Sequence, residues 1–145
     1  MNIRIAMWIV LATVFAASSA FANDPSIGGE KITILQQRAL SDAPGKKTLV
    51  FTVEYMPGQR SVPHVHGGSV VAYVLEGAVV SQLDGEEPVT YRVGQSWYES
   101  PGVGHLVSRN ASTTRPAKLL VWILSGVDEP LLKPLNSKSE AQTPP

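Results

Sequence analysis

The chain has 145 residues, enough for one domain, and its 12 basic and 12 acidic side chains cancel to a formal net charge of zero. That balance argues against nucleic-acid binding, which needs a basic stripe or patch. With no cysteine in the chain, disulfides, thiolate ligands, a cysteine nucleophile and iron–sulfur clusters are excluded, and any metal chemistry rests on histidine, carboxylate or neutral oxygen donors.

The first 22 residues read as a secretory signal. Arg4 is their only charge, an apolar run from Ile5 to Phe15 follows it, and small residues close on Ala20-Phe21-Ala22. A positive start, an apolar centre and an A-x-A end are the three parts of such a signal. An uncleaved membrane anchor is the alternative, but the run falls short of the roughly 20 apolar residues a spanning helix needs. The expected organisation is a signal peptide over 1–22, a folded domain over 23–125, and a proline-containing, partly disordered tail over 126–145. The mature protein is expected in the periplasm or secreted, with no stable membrane association once the signal is removed. A chain without cysteine suits such an oxidising compartment. Asn110-Ala111-Ser112 has the form of a glycosylation sequon, which matters only in a eukaryotic secretory pathway.

Beyond the signal, β-branched and aromatic segments recur: Ile32–Gln37, Thr48–Tyr55, Ser69–Leu75, Ala78–Leu83, Val89–Val93, Ser96–Glu99, His105–Ser108 and Leu119–Leu124. Pro57-Gly58, Gly67-Gly68, Glu76-Gly77, Asp84-Gly85, Val93-Gly94 and Pro101-Gly102 punctuate them with turn chemistry. Short strands at near-regular spacing predict an all-β sandwich or barrel. No segment after residue 30 carries helical periodicity over a helix length; Leu35–Leu40 is the nearest and is too short. Glu76-Gly77 and Asp84-Gly85 each predict a tight hairpin. Leu119–Leu124 is apolar at every position, which predicts a strand covered on one side by the core and on the other by a sheet or subunit.

Chemistry concentrates on the three histidines of the chain, two of which form His64-Val65-His66. On a strand, residues i and i+2 share a face about 6.5–7 Å apart, so two imidazoles there can converge on one ion at about 2.0–2.2 Å. Taken alone, such a pair is more often an exposed polar couple on an edge strand.

Its surroundings point further. Gly58-x5-His64-x-His66-x3-Val70-x6-Gly77 resembles the first motif of the cupin superfamily, G-x5-H-x-H-x3-E-x6-G. Gly94-x5-Ser100-x-Gly102-x2-His105 resembles the second, G-x5-P-x-G-x2-H-x3-N. The resemblance runs over Gly58–Asn110 and implies a jelly-roll barrel, the double-stranded β-helix. It also implies a metal site on His64, His66 and His105, the positions of the family's histidine ligands.

Four positions depart from the pattern. The family's glutamate ligand falls on Val70, its motif-two proline on Ser100, the aspartate that often follows the glycine on Gln95, and its asparagine one place late, on Asn110. Only Val70 alters the site. Glu76 shares parity with Val70 but lies about 20 Å along the strand. Glu99, just ahead of the Ser-Pro-Gly turn, is the better substitute. It reads three ways: as a direct ligand, as a catalytic residue or partner of a ligand histidine, or as a solvated glutamate at a strand end.

Three neutral imidazoles without a carboxylate leave a divalent ion cationic and open, similar to the site of three-histidine cupin dioxygenases. A small anionic substrate can then supply the missing charge by chelation. The expectation is one divalent ion, Fe(II) first and Zn, Mn, Ni or Cu after it, in a dioxygenase-like enzyme with Glu99 as its catalytic residue. A Lewis-acid isomerase or lyase in the same barrel is the second reading, and a periplasmic module that binds metal or a small ligand without turnover is the third. The expected partners are a small-molecule substrate and a second copy in a homodimer. Parity places Val70, Ala72 and Val74 inside the barrel and Tyr73 outside it.

Overall fold

The alternation in the sequence becomes a barrel interior in the computed structural model, which describes residues 28–135. The strands are β1 (Lys31–Ala39), β2 (Lys46–Tyr55), β3 (His64–Val65), β4 (Ser69–Glu76), β5 (Ala78–Leu83), β6 (Val89–Arg92), β7 (Ser96–Glu99), β8 (Gly104–Asn110), β9 (Ala117–Gly126) and β10 (Lys133–Pro134). They form two antiparallel five-stranded sheets, ordered β1-β2-β9-β4-β7 and β10-β3-β8-β5-β6. The expected signal peptide over residues 1–22 and the end of the expected tail, residues 136–145, lie outside the described residues.

Along β2, β4 and β9 every second side chain points inward, because successive Cβ atoms on a strand face opposite sides. Leu49, Phe51 and Val53, Val70, Ala72 and Val74, and Leu119, Val121 and Ile123 are all buried in one core. Burying each of the larger ones contributes roughly 1.5–3 kcal/mol. Tyr73 points outward, as parity requires.

Within the chain, the outward side of β9 is only partly covered. Trp122 is 37% exposed and joins Val71, Tyr73 and Tyr98 in an uncharged patch. No second sheet of the same chain covers it among the described residues. The barrel also extends past residue 125, where the sequence reading ended the domain. β9 runs to Gly126, and β10 returns to pair with β3, so that Lys133 faces Val65 and Pro134 faces His64. Leu131 packs on the core of its own chain.

Two residues lock the turns at the ends of the two motifs, Gly77 after the first and Asn110 after the second. Gly77, between β4 and β5, has φ +69°, and a Cβ there would lie 2.5 Å from the Pro116 carbonyl oxygen, so any side chain collides with backbone. Asn110 is buried; its amide donates to the carbonyls of Met56 (3.1 Å) and Arg115 (2.7 Å), and its Oδ1 accepts the Ser112 N–H at 2.8 Å. These bonds make Asn110 a clamp on two loops rather than part of the site.

Candidate metal centre

Register brings the histidines together. β3 pairs with β8 so that His64 stands directly opposite His105. The extended chain carries His66 to the same face two residues on. The rings of His64 and His66 lie 4.8 Å apart between centroids, and those of His64 and His105 5.1 Å apart. All three are buried. The second-motif turn is tied to the first by the Gly102 N–H, which donates to the His66 carbonyl at 2.9 Å.

Backbone carbonyls fix two of the rings. Nδ1 of His64 meets the Val62 oxygen at 2.7 Å, and Nδ1 of His66 meets the Leu131 oxygen at 2.7 Å. A carbonyl only accepts, so each Nδ1 carries the proton and each Nε2 keeps a lone pair. Burial pushes the His64 imidazole down to about 4, against smaller upward pulls from the Val62 carbonyl and Glu99. Burial lowers His66 as well, with Glu99 opposing it. Both rings are therefore neutral donors near neutral pH.

Glu99 arrives from the neighbouring sheet. β4 and β7 pair with Val70 directly opposite Glu99. The carboxylate absent at position 70 thus stands one strand away on the same inner face. Glu99 is only 3% exposed, which removes the reading of a solvated strand end. Its Oε1 accepts the Trp97 indole N–H at 2.9 Å and lies 3.2 Å from His105 Nδ1; its Oε2 lies 3.8 Å from His66 Nε2. With His66 neutral, that last approach joins a carboxylate to a lone-pair nitrogen and is no ion pair. Burial alone would raise the Glu99 carboxyl, but the hydrogen bonds it accepts from the His105 imidazole and the Trp97 indole pull the other way, and it lies below the usual carboxylate range.

Residues 51–123, just over half of the chain, match the family described as "Cupin domain". The chain belongs to the cupin family. Its fold is similar to that of the DMSP lyase DddQ from Ruegeria pomeroyi, at 18% identity and a TM-score of 0.60, covering 77% of this chain and 54% of that one. The cupin thus spans about half the length of that lyase. An RmlC-like cupin from Shewanella frigidimarina aligns at 22% identity and a TM-score of 0.54, over 70% of this chain and 80% of that one. The polyketide cyclase RemF from Streptomyces resistomycificus aligns at 18% identity and a TM-score of 0.56, over 80% and 78%. At these identities the likeness concerns the fold. No curated protein matches the sequence.

The donors of the cupin site suit a divalent cation. Oε2 of Glu99 is buried with no hydrogen-bond partner among the described residues, a costly state for a carboxylate oxygen unless a cation or donor meets it. It shares its side of the barrel with the two Nε2 lone pairs, and nitrogen plus carboxylate oxygen is a donor set for zinc or iron. The set is not drawn closed: among the described residues no three such side chains stand arranged to hold an ion. His105 Nε2 is hydrogen-bonded to Ser81 Oγ at 2.8 Å.

Three participants escaped the sequence reading. Ser81 and the Leu131 carbonyl act through partners distant in the chain, and no local pattern marks them. Glu30 lines the same cavity as the histidines, and its place just before the first predicted strand says nothing of its burial.

Proposed function

We propose that this cupin is an exported mononuclear metalloenzyme acting on a small anionic organic substrate. His64, His66 and His105 would hold one divalent ion, Fe(II) in the native protein, with Glu99 as the carboxylate that moves the substrate proton. The observation that carries this reading is the unpartnered, buried Glu99 Oε2 set against His66 Nε2 and flanked by His105. When bound, the ion would supply Lewis acidity and, as iron, one-electron chemistry with O₂.

The protein's own groups have distinct tasks. The Val62 and Leu131 carbonyls hold two imidazoles in the tautomer that offers Nε2. Trp97 engages Oε1 of Glu99 and thereby leaves Oε2 as the basic oxygen. Ile32, Phe51, Val53 and Val121 wall a narrow pocket and keep bulk water from the carboxylate.

A lyase or isomerase reading has one observation in its favour: a base already stands beside the ion's place, as proton abstraction next to a polarised carbonyl requires. Elemental analysis of protein exported to its own compartment, joined to oxygen uptake on diketones, thiols and phenolic acids, separates the readings. Iron with substrate-dependent oxygen uptake is the expected result. Zinc without iron overturns the oxygenase; substrate hydrogen exchange with D₂O would then support the lyase or isomerase. Metal without any turnover would leave a binding module, and protein without metal would refute the proposal.

A further inference from the structure

The cavity holds a second buried carboxylate. Glu30, in the stretch leading into β1, is 1% exposed and lines the same pocket as His64, His66 and Glu99. Its Oε2 accepts the Gly28 N–H at 2.8 Å, and no other protein hydrogen bond reaches the carboxylate among the described residues. The group sits against the loop before β3: a Cβ on Gly28 would lie 2.7 Å from Glu30 Oε2 and 2.9 Å from Ser61 Cα. Close by, the Tyr55 hydroxyl lies between Ser61 Oγ (2.8 Å) and Ser108 Oγ (2.9 Å).

This polar group is set apart from the histidines. Ser108 is three residues beyond His105 on β8, about 10 Å along the strand, and Ser61 is three residues before His64. Ile32, Phe51, Val53 and Val121 line the space with them. The pocket therefore has two polar ends and apolar walls. A buried carboxylate with one amide partner is expensive.

We infer that Glu30 is a specificity residue that receives the far end of the substrate: a hydrogen-bond-donating group, hydroxyl or ammonium, on a small organic acid whose other end meets the histidine cluster. The inference rests on the proposed function for the identity of the near end, but the role of Glu30 itself stands on the cavity alone. Its ligand class is the ω-hydroxy or ω-amino acid with a short apolar spine.

The test uses the mature full chain, zinc-loaded and metal-free, titrated calorimetrically with butyrate, 4-hydroxybutyrate, 4-aminobutyrate and 5-aminovalerate. The wild type should bind at least one ω-substituted acid roughly tenfold or more tighter than butyrate, as a charge-assisted hydrogen bond implies. Whether hydroxyl or ammonium wins identifies the donor. Glu30→Gln keeps an acceptor for the Gly28 amide, and it should abolish the discrimination while leaving zinc and butyrate affinities within about twofold. Glu30→Asp, which retracts the charge by one methylene, should move the preference toward 5-aminovalerate, a shift that a purely structural role would not produce. Equal binding of all four acids, or no binding in either form, overturns the inference, as does discrimination that survives in Glu30→Gln. Failure to bind zinc with the ω-group preference intact would instead sink the metal reading and leave the role of Glu30 standing.

Discussion

Across the barrel interior, β2, β4 and β9 present Phe51, Val53, Val70, Val74, Val121 and Ile123, whereas β3 and β8 present His64, His105, Ser108 and Asn110. Both faces are equally buried, yet only the first gains free energy by leaving water. The second incurs desolvation and recovers it through specific partners, such as Val62 for His64, Ser81 for His105 and the loop carbonyls for Asn110. The division teaches where stability and chemistry reside in so small a barrel. The first sheet supplies most of the apolar core, joined by Val79 of β5, and the second also buries polar groups that depend on specific partners. Glu99 crosses the division: it belongs to the apolar sheet but reaches the histidines from the edge strand β7.

Breaking the polar sheet should abolish the metal before it harms the fold. The double variant His64→Ala/His66→Ala is expected to lose stoichiometric metal, read by elemental analysis, while remaining folded by circular dichroism; full retention of metal would contradict the assignment. Removing only the basic oxygen is the next largest change. Glu99→Gln should cut turnover on the substrate found by oxygen uptake by about 10²–10⁴, with a folded, metal-bearing protein. Activity within a few fold of wild type would remove Glu99 from the chemistry.

The apolar sheet should respond in the opposite way. Ile123→Ala, deep in the core, is expected to cost about 2–5 kcal/mol in urea denaturation without changing metal stoichiometry. A smaller loss, about 1–3 kcal/mol, is expected for Asn110→Ala, which removes the shared donor of the Met56 and Arg115 carbonyls. Smaller again is the effect of acid on the metal-free protein. The folded His64 titrates near 4 and the unfolded ring near 6.5. The unfolded chain therefore binds more protons in that window, and stability falls as pH drops through it. Burial of His66 acts in the same direction, and the lowered Glu99 adds a further loss at lower pH. Melting temperatures measured with chelator present should decline from pH 6.5 to 4, and less steeply in His64→Gln; a flat profile would mean that the rings are not held neutral.

Much of this molecule was legible before any coordinates. Period-two alternation and glycine turns are local signals, so β2, β4, β5, β7 and β9 fall where the residues place them, and the spacing of Gly58, His64, His66, Gly94 and His105 names the family. Local signals cannot report pairing. Only the register of β4 on β7 reveals that Glu99 faces the position where Val70 replaces the family's glutamate. Only the return of β10 makes the Leu131 carbonyl a partner of His66 and extends the barrel beyond residue 125. The same holds for Glu30, whose charge in the sequence suggests solvent and whose surroundings are a cavity. Side-chain type and strand period are written residue by residue, and they determined the barrel and its histidines. Which carboxylates share the cavity with them depends on contacts between distant strands, and tertiary structure alone decided that.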